Sequence, residues 1–284
     1  MKKILTFIFA IITILTTSLG LASCGGSQFE IAIPNDPTNE ARALLLLEEN
    51  NIITLKEGAG LQATIKDIES NPYNIKFREV EAVQLPLVLD SVDYAVINSN
   101  YAIPANLNPV TDALAIESAT SYYSNILAVK RGNENSPKIK ALVAALESLE
   151  VKEFITNEYG GAVVSVVENP TNGYDETVNY EELSNTRITV AASPTPHAEI
   201  LQIAKAILAK KNITLDIKEY DDYIQPNIIV DEGDVDANYF QHLPYLENFN
   251  EENKTNLVSV SKIHVEPLGI YGGKQSSLDA LFNK

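Results

Sequence analysis

Apolar residues recur along this chain in two patterns that alternate with each other. Short apolar runs at 29–33 and 188–192 are each followed by a turn that contains two prolines. The first turn is followed by residues 38–49 and the second by residues 197–210, and both segments carry apolar side chains at helical spacing. Further strands are predicted at 75–80, 94–97, 126–130, 215–220 and 257–260, and further helices at 138–149 and 151–159. Alternating strands and helices predict an α/β protein with open sheets, arranged as two lobes.

The residues before two of the predicted helices indicate where each helix begins. Asp36 can cap the helix at 38–49, and Pro37 suits a first turn, where its missing N–H costs nothing. In the second unit, Thr195 is the predicted cap and Pro196 the first helical residue.

One long segment, residues 168–187, lacks either apolar pattern. It is polar and acidic, so we interpret it as a linker or a poorly ordered loop. A loop of this length is unusual inside a compact domain and therefore needs an explanation.

The N-terminal segment predicts where the protein works. Lys2 and Lys3 precede the uncharged residues 4–21, and Leu21-Ala22-Ser23-Cys24 follows, with the chain's single cysteine. This resembles a bacterial lipoprotein signal peptide, which implies that residues 1–23 are removed, Cys24 is lipidated and 24–28 form a short tether. The alternative is an uncleaved transmembrane anchor, because the apolar run is of marginal length. In either case we expect a body held at the outer face of a bacterial cell membrane.

Composition narrows the classes of function. The formal net charge of the 284-residue chain is −17, and the loss of Lys2 and Lys3 would make it −19, so nucleic acid is a poor partner. The only cysteine is Cys24, and the three histidines are far apart in sequence, so we expect neither a thiol nucleophile nor a metal site. The phosphate-loop and nucleophile-elbow motifs are missing, so we expect no cofactor, no catalytic residue and no enzymatic activity.

Several longer motifs carry more specific information. They are Ile33-Pro-Asn-Asp-Pro-Thr-Asn39-Glu-Ala-Arg42, Glu81-Ala-Val-Gln-Leu-Pro86, Ile97-Asn98-Ser-Asn100-Tyr101, Pro194-Thr-Pro-His197-Ala-Glu199, Tyr223-Ile-Gln-Pro-Asn227 and Gly233-Asp-Val-Asp-Ala-Asn238-Tyr-Phe240-Gln-His242-Leu-Pro-Tyr245-Leu246. Together they resemble the NlpA-type methionine-binding lipoproteins, also called the MetQ family. The resemblance covers residues 29–167 and 187–284.

The resemblance implies a fold and a set of partners. The fold would be a two-lobed, periplasmic-binding-protein-like α/β fold of type II, with a ligand cleft between two open sheets flanked by helices. Residues 29–115 with 264–284 would form one lobe, and 116–167 with 188–263 the other. The ligand would be methionine or a close relative. An ABC permease and its ATPase would be the protein partners, and the lipid on Cys24 would hold the protein to the membrane.

The order of the two halves differs from that of the family. Family members begin with the segment that corresponds to 188 onward and end with the segment that corresponds to 160–167. We therefore expect a circular permutant in which residues 168–187 join the family's original termini, which is tolerated where termini are close and at the surface. The alternative is a duplicated or misassembled gene whose product does not work.

The resemblance also implies a binding site, residue by residue. Arg42 would hold the ligand carboxylate, because a guanidinium binds carboxylates in a bidentate manner. Asn98 and Asn125 would orient the charged groups of the ligand. Four residues would line the pocket for the ligand side chain: Tyr223, Phe240, His242 and Tyr245. We expect the last three to converge from a loop or irregular turn, and rings suit a thioether.

Each of these residues also has a purely structural interpretation. Arg42 could pair with a nearby carboxylate, Asn98 and Asn125 could end strands, and the aromatic side chains could belong to a core. We interpret Pro196 and His197 as structural, and His264 receives no role. The functional alternatives are a surface adhesin or sensor that has lost transport, and a hydrolase that uses His242 with a carboxylate.

Overall fold

The computed structural model describes residues 28–118 and 121–283. The expected signal peptide, the expected lipidation site Cys24 and all but the last residue of the expected tether lie outside the described residues. Within the described ranges, no helix has the length and apolar character that crossing a bilayer requires.

Thirteen strands and ten helices account for most of the described chain. In the first half they are β1 (Glu30–Pro34), α1 (Pro37–Glu49), β2 (Thr54–Leu55), β3 (Ile68–Ser70), β4 (Lys76–Val80), α2 (Leu85–Val88), β5 (Tyr94–Ile97), α3 (Ser99–Ala102), β6 (Ala115–Ile116), β7 (Ser124–Lys130), α4 (Pro137–Leu146), α5 (Leu149–Tyr159) and β8 (Val164–Ser165). In the second half they are α6 (Tyr180–Leu183), β9 (Arg187–Ala192), α7 (Glu199–Ala209), β10 (Thr214–Glu219), α8 (Gln225–Glu232), β11 (Ala237–His242), α9 (Leu243–Asn253), β12 (Leu257–Val265), β13 (Gly269–Gly272) and α10 (Asp279–Phe282).

Two mixed sheets organise the fold, as the α/β prediction requires. The five-stranded sheet has the order β4-β1-β5-β13-β6, and the six-stranded sheet has the order β10-β9-β11-β7-β12-β8. In each sheet the first three strands are parallel, and the strands beyond them run antiparallel to their neighbours. The two sheets therefore share one plan: a parallel unit with its first strand in the middle, extended by antiparallel strands.

The chain passes between the sheets twice. One connection leads from β6 to β7, and residues 266–268 lead from β12 to β13. His264 and Val265 pair with β7 in the six-stranded sheet, although the sequence boundaries place them in the other lobe.

Each sheet has its own apolar core. The largest cluster packs α4, α5 and α7 against the six-stranded sheet, and a second cluster packs α1 against the five-stranded sheet. Phe29 and Leu281, near the two ends of the described chain, belong to the same second cluster. The ends of the described chain are therefore neighbours in one lobe.

One of the two predicted helix caps is confirmed and the other is wrong. The Asp36 carboxylate accepts a hydrogen bond from the backbone N–H of Asn39 at 3.0 Å, and Pro37 opens α1. In the second unit, Thr195 has extended backbone angles inside an irregular turn, Pro194–Ala198. Its hydroxyl donates to the carboxylate of Glu199 instead of capping a helix, and α7 begins only at Glu199.

Residues 168–187 follow a defined path along the six-stranded lobe. Val178 and Leu183 are buried in the largest core cluster. Thr171 exchanges backbone hydrogen bonds with the turn between α4 and α5, and Lys211 lies 4.8 Å from the centre of the Tyr174 ring. The interpretation as a poorly ordered loop is therefore wrong, because these scattered apolar residues have no period that would reveal their burial.

Candidate functional site

A narrow cavity of about 20 Å³ lies between the two lobes, far below the roughly 300–1,000 Å³ of ligand sites, so the lobes are closed on each other here. It is lined by Asn39, Arg42, Asn98, Ser99, Asn100, Asn125, Tyr223, Phe240, Gln241, His242, Tyr245 and Glu266. All seven residues that the sequence predicts to contact a ligand are in this set. The carboxyl ends of parallel strands from both sheets meet here, which is where open α/β sheets place their ligands.

The secondary structure brings distant residues to this cavity. Arg42 lies on α1, which follows β1, and Asn98 follows the last residue of β5. Asn125 lies on β7, where it pairs with His242 at the end of β11. The expectation that 240–245 form a loop is wrong, because these residues end strand β11 and begin helix α9.

Arg42 is buried and already paired. Its Nε donates to Glu117 Oε1 at 2.9 Å, and its Nη2 donates to Glu117 Oε2 and to the backbone oxygen of Glu266. Burial alone would lower the pKa of Arg42, but the adjacent Glu117 carboxylate raises it above its usual value. Nη1 has no hydrogen-bond partner among the described residues, so this nitrogen is the one available to a ligand.

Two asparagines present unpaired polar atoms of opposite kind. Asn98 donates from Nδ2 to Asn39 Oδ1 at 2.9 Å, which leaves its own Oδ1 buried without a partner. Asn100 accepts from the Tyr223 hydroxyl at 2.7 Å, which leaves its Nδ2 buried without a partner. Buried polar atoms are nearly always satisfied, so one free acceptor and one free donor indicate a ligand that carries both.

Aromatic rings form the other wall of the cavity. The Tyr223 ring lies 5.9 Å from the Phe240 ring and 5.8 Å from the Tyr245 ring, measured between centroids. Burial, followed by the nearby Arg42, holds the pKa of His242 well below its ordinary value, so its imidazole is neutral. His242 Nδ1 accepts from the Tyr245 backbone N–H and caps α9. This wall suits an apolar, polarizable side chain.

A buried carboxylate sits between two imidazoles at the back of the cavity. Glu266 Oε1 lies 2.7 Å from His264 Nε2 and 3.2 Å from His197 Nε2, which is also 3.0 Å from Asn125 Oδ1. Burial lowers the pKa of each imidazole to about 3 and raises the pKa of Glu266. The side-chain donor atoms of His197, His264 and Glu266 lie within 4.8 Å of one another, close enough to surround a cation. The His264–Glu266 hydrogen bond and the close approach of His197 Nε2 to Glu266 already account for this spacing.

The histidine arrangement corrects one inference from the sequence. His197 and His264 are far apart along the chain, yet their rings are 5.0 Å apart in the fold. Both therefore belong to the surroundings of the cavity, although the sequence analysis assigns a structural role to His197 and no role to His264.

Five lining residues were missed from the sequence. Asn39, Ser99, Asn100 and Gln241 lie inside the motifs that carry the family resemblance, so those motifs held the signal. Glu266 had no such signal, because a lone carboxylate between Val265 and Pro267 is ordinarily exposed.

Proteins of similar sequence match about half of this chain. Membrane lipoprotein TpN32 of Treponema pallidum is 47% identical over 135 residues, which cover 48% of this chain and 50% of that protein. The D-methionine-binding lipoprotein MetQ of Escherichia coli K12 is 41% identical over 141 residues, which cover 49% and 51% of the two chains. The chain thus spans about half the length of these curated relatives.

A solved structure is also similar over part of the chain. The nutrient-binding protein from Burkholderia cenocepacia bound to methionine is 51% identical over 48% of this chain and 58% of that one, with a TM-score of 0.47.

The family comparison covers more of the sequence than any of these pairwise matches. The model of the NlpA lipoprotein family matches residues 26–167 and 188–284 and leaves out the segment between them. All twelve cavity-lining residues, and both sheets except Arg187 at the start of β9, fall inside the two matched segments. The chain therefore belongs to the NlpA lipoprotein family.

Proposed function

We propose that this protein binds methionine, or a close relative of methionine, in the cavity between its lobes and delivers it to an ABC importer. The observation that carries the proposal is the free acceptor on Asn98 and the free donor on Asn100 beside the Nη1 of Arg42. A free amino acid is a zwitterion, so its carboxylate would occupy donors and its ammonium acceptors.

The aromatic wall supports the choice of side chain. A thioether is nearly apolar and interacts favourably with aromatic rings at about 5 Å. Tyr223, Phe240 and Tyr245 surround one end of the cavity at comparable ring spacings, and His242 beside them is neutral. A charged or strongly polar side chain would lose its hydration there without recovering its hydrogen bonds.

Family membership and the N-terminal sequence support the transport and anchoring parts of the proposal. The name of the Escherichia coli relative describes a D-methionine-binding lipoprotein. On this basis, lipid on Cys24 would hold the protein at the outer face of the cell membrane, and closure of the lobes would present it to a permease and its ATPase. The protein itself would bind its ligand without turnover.

The proposal includes a circular permutation. The family model matches on either side of residues 168–187, and those residues pack along one lobe. Phe29 and Leu281 share an apolar cluster, so the ends of the described chain lie where a surface connection could join them.

Rebuilding the family order tests the permutation. In the rebuilt chain, residues 188–284 would precede 29–167, with a short flexible joint between Lys284 and Phe29 and with 168–187 removed. We expect a folded protein that binds L-methionine within about tenfold of the parent, because both cores are retained. A rebuilt chain that fails to fold, beside a parent that folds, would contradict the permutation.

Calorimetric titration tests the function. The body from Gly25 onward would be unfolded, freed of carried-over ligand, refolded and titrated with L-methionine. One-to-one binding supports the proposal. A folded protein that binds neither L-methionine, D-methionine nor methionine dipeptides would overturn it.

A further inference from the structure

Glu266 is a buried carboxylate on the cavity wall that the proposed function leaves without a role. Its exposed fraction is 6%, and it lines the same cavity as Arg42 and Asn98. Carboxylates are rarely buried to this degree unless they are paired with a positive charge. We therefore ask which positively charged group pairs with Glu266.

The surrounding residues hold this carboxylate in one position. His264 Nε2 lies 2.7 Å from Oε1, and the hydroxyl of Tyr239 bonds His264 Nδ1 on the far side of the ring. An ionised Glu266 can only accept, so the neutral His264 ring carries its proton on Nε2 and its Nδ1 accepts from the Tyr239 hydroxyl. His197 Nε2 approaches the same oxygen at 3.2 Å, and the backbone oxygen of Glu266 accepts from Arg42.

None of these contacts supplies a dedicated cation. His197 and His264 have pKa values near 3, so both are neutral at physiological pH. Arg42 is the nearest permanent cation, but Glu117 already binds it through two of its nitrogens. Across the described residues, the salt bridges of Glu266 are with these two histidines alone. One carboxylate in the cavity wall thus remains without a balancing positive charge.

An incoming amino acid carries that charge. We propose that Glu266 binds the α-ammonium group of the ligand and makes a free ammonium a requirement for tight binding. The inference rests on the proposed function and identifies Glu266 as the residue that recognises the ammonium end of the ligand. The free Oδ1 of Asn98 supplies a second acceptor in the same cavity, and Arg42 Nη1 with Asn100 Nδ2 supplies donors for the carboxylate end.

The tested variant is Glu266→Gln, which keeps the shape and the hydrogen-bond acceptor for His264 but removes the charge. The matched control is Glu199→Gln, which makes the same change at a carboxylate that accepts from Tyr159 and Thr195 away from the cavity lining. Both variants and the parent would be titrated with L-methionine and with γ-methylthiobutanoate, which lacks the ammonium group. Thermal melting would establish that each variant is folded.

We expect Glu266→Gln to weaken L-methionine binding by about 30-fold or more, the scale of losing one partner of a buried charge pair. The same variant should leave the affinity for γ-methylthiobutanoate within about threefold, because that ligand has no ammonium to lose. Glu199→Gln should bind L-methionine like the parent. Equal weakening of both ligands by Glu266→Gln would overturn the inference, because it would indicate a structural role.

The pH profile gives a second readout if γ-methylthiobutanoate binds the parent too weakly to measure. The titratable and charged groups near Glu266 are two imidazoles, three tyrosines and one arginine: His197, His264, Tyr159, Tyr223, Tyr239 and Arg42. The imidazoles stay neutral, and the tyrosines and the arginine stay protonated, over about pH 5 to 8. Burial raises the pKa of Glu266, so the affinity of the parent should fall as pH falls through that pKa. The affinity of Glu266→Gln for L-methionine should not fall with pH in this way. If the variant shows the same pH dependence as the parent, the inference is overturned. A parent that binds no methionine at all would refute the proposed function instead.

Discussion

Arg42 and Glu117 form a bidentate ion pair on the wall of the interlobe cavity. The guanidinium lies on α1, whereas Glu117 lies on the first of the two segments that connect the lobes. Their side chains are 5% and 13% exposed, so the pair is largely removed from water. The pair therefore ties the orientation of Arg42 to Glu117, where the chain leaves the five-stranded sheet for the six-stranded one.

Glu117→Gln tests whether this pair positions Arg42. We expect the variant to bind L-methionine more weakly, because Arg42 would no longer be held in place. We also expect its free energy of unfolding to fall by up to about 5 kcal/mol, because removing one partner leaves a buried charge uncompensated. Titration calorimetry and urea denaturation would measure the two effects. Tighter binding in Glu117→Gln would instead mean that Glu117 competes with the ligand for Arg42.

Arg42→Ala removes the only buried cation of the cavity wall among the described residues. We expect L-methionine binding to weaken by about 2–4 kcal/mol, because the ligand carboxylate would lose a charged donor in a desolvated site. Arg187→Ala is the control, since Arg187 is an exposed arginine paired with Asp216 in the lobe opposite α1. A loss below about 0.5 kcal/mol for Arg42→Ala, beside an unchanged control, would place the ligand away from Arg42.

His242 has a structural contribution that can be separated from ligand contact. Its Nδ1 accepts the Tyr245 N–H at the start of α9. We expect His242→Ala to be less stable than His242→Asn by about 0.5–2 kcal/mol, because asparagine retains the cap and alanine does not. Urea denaturation without ligand measures this difference. Equal stability of the two variants would show that the cap contributes nothing.

The two imidazoles beside Glu266 predict how stability depends on pH. Their pKa values are near 3 in the folded protein, against about 6.5 in the unfolded chain. Between these values the unfolded chain binds more protons, so stability falls with falling pH, by up to about 1.4 kcal/mol per pH unit for each imidazole. The raised pKa of Glu266 acts in the opposite direction and offsets part of this slope. Between pH 7 and pH 5, the free energy of unfolding should depend less on pH in the double variant His197→Gln/His264→Gln than in the parent. An equal slope in the two proteins would contradict the prediction.

The segment 168–187 should contribute to stability through its two buried apolar residues. We expect Leu183→Ala to lower the free energy of unfolding by about 2–5 kcal/mol, the usual cost of a cavity at a buried leucine. The neighbouring Glu181 is exposed, so Glu181→Ala should change it by less than about 0.5 kcal/mol. Equal effects of the two changes in urea denaturation would mean that the segment does not support the fold.

The sequence predicts the elements whose apolar residues are periodic. The strand at 94–97 is confirmed residue for residue, and the helix at 38–49 differs by one residue at its start. Strand β11 was missed because its buried positions include Asn238 and Gln241. Their amides bond to each other and to Asn227, and buried polar residues satisfied in this way leave no apolar pattern.

Site residues that lie in long motifs could be predicted from the sequence. Site residues whose burial depends on contacts between distant segments could not. Arg42 and Asn98 lie in motifs that mark the family, and the structure brings both to one cavity. Glu117 and Glu266 are isolated carboxylates in the sequence. Their burial arises only when the two connecting segments meet α1, a juxtaposition that no local pattern encodes.

The position of β13 constrains how the protein assembles during synthesis. This strand lies between β5 and β6 in the five-stranded sheet, yet its residues, Gly269–Gly272, are synthesised after all the other strands of the described chain. Until then the facing edges of β5 and β6 have no partner, while every strand of the other sheet has already been made. The lobe that begins to form first is therefore the one completed last, and its open edges are the place where a nascent chain could pair wrongly.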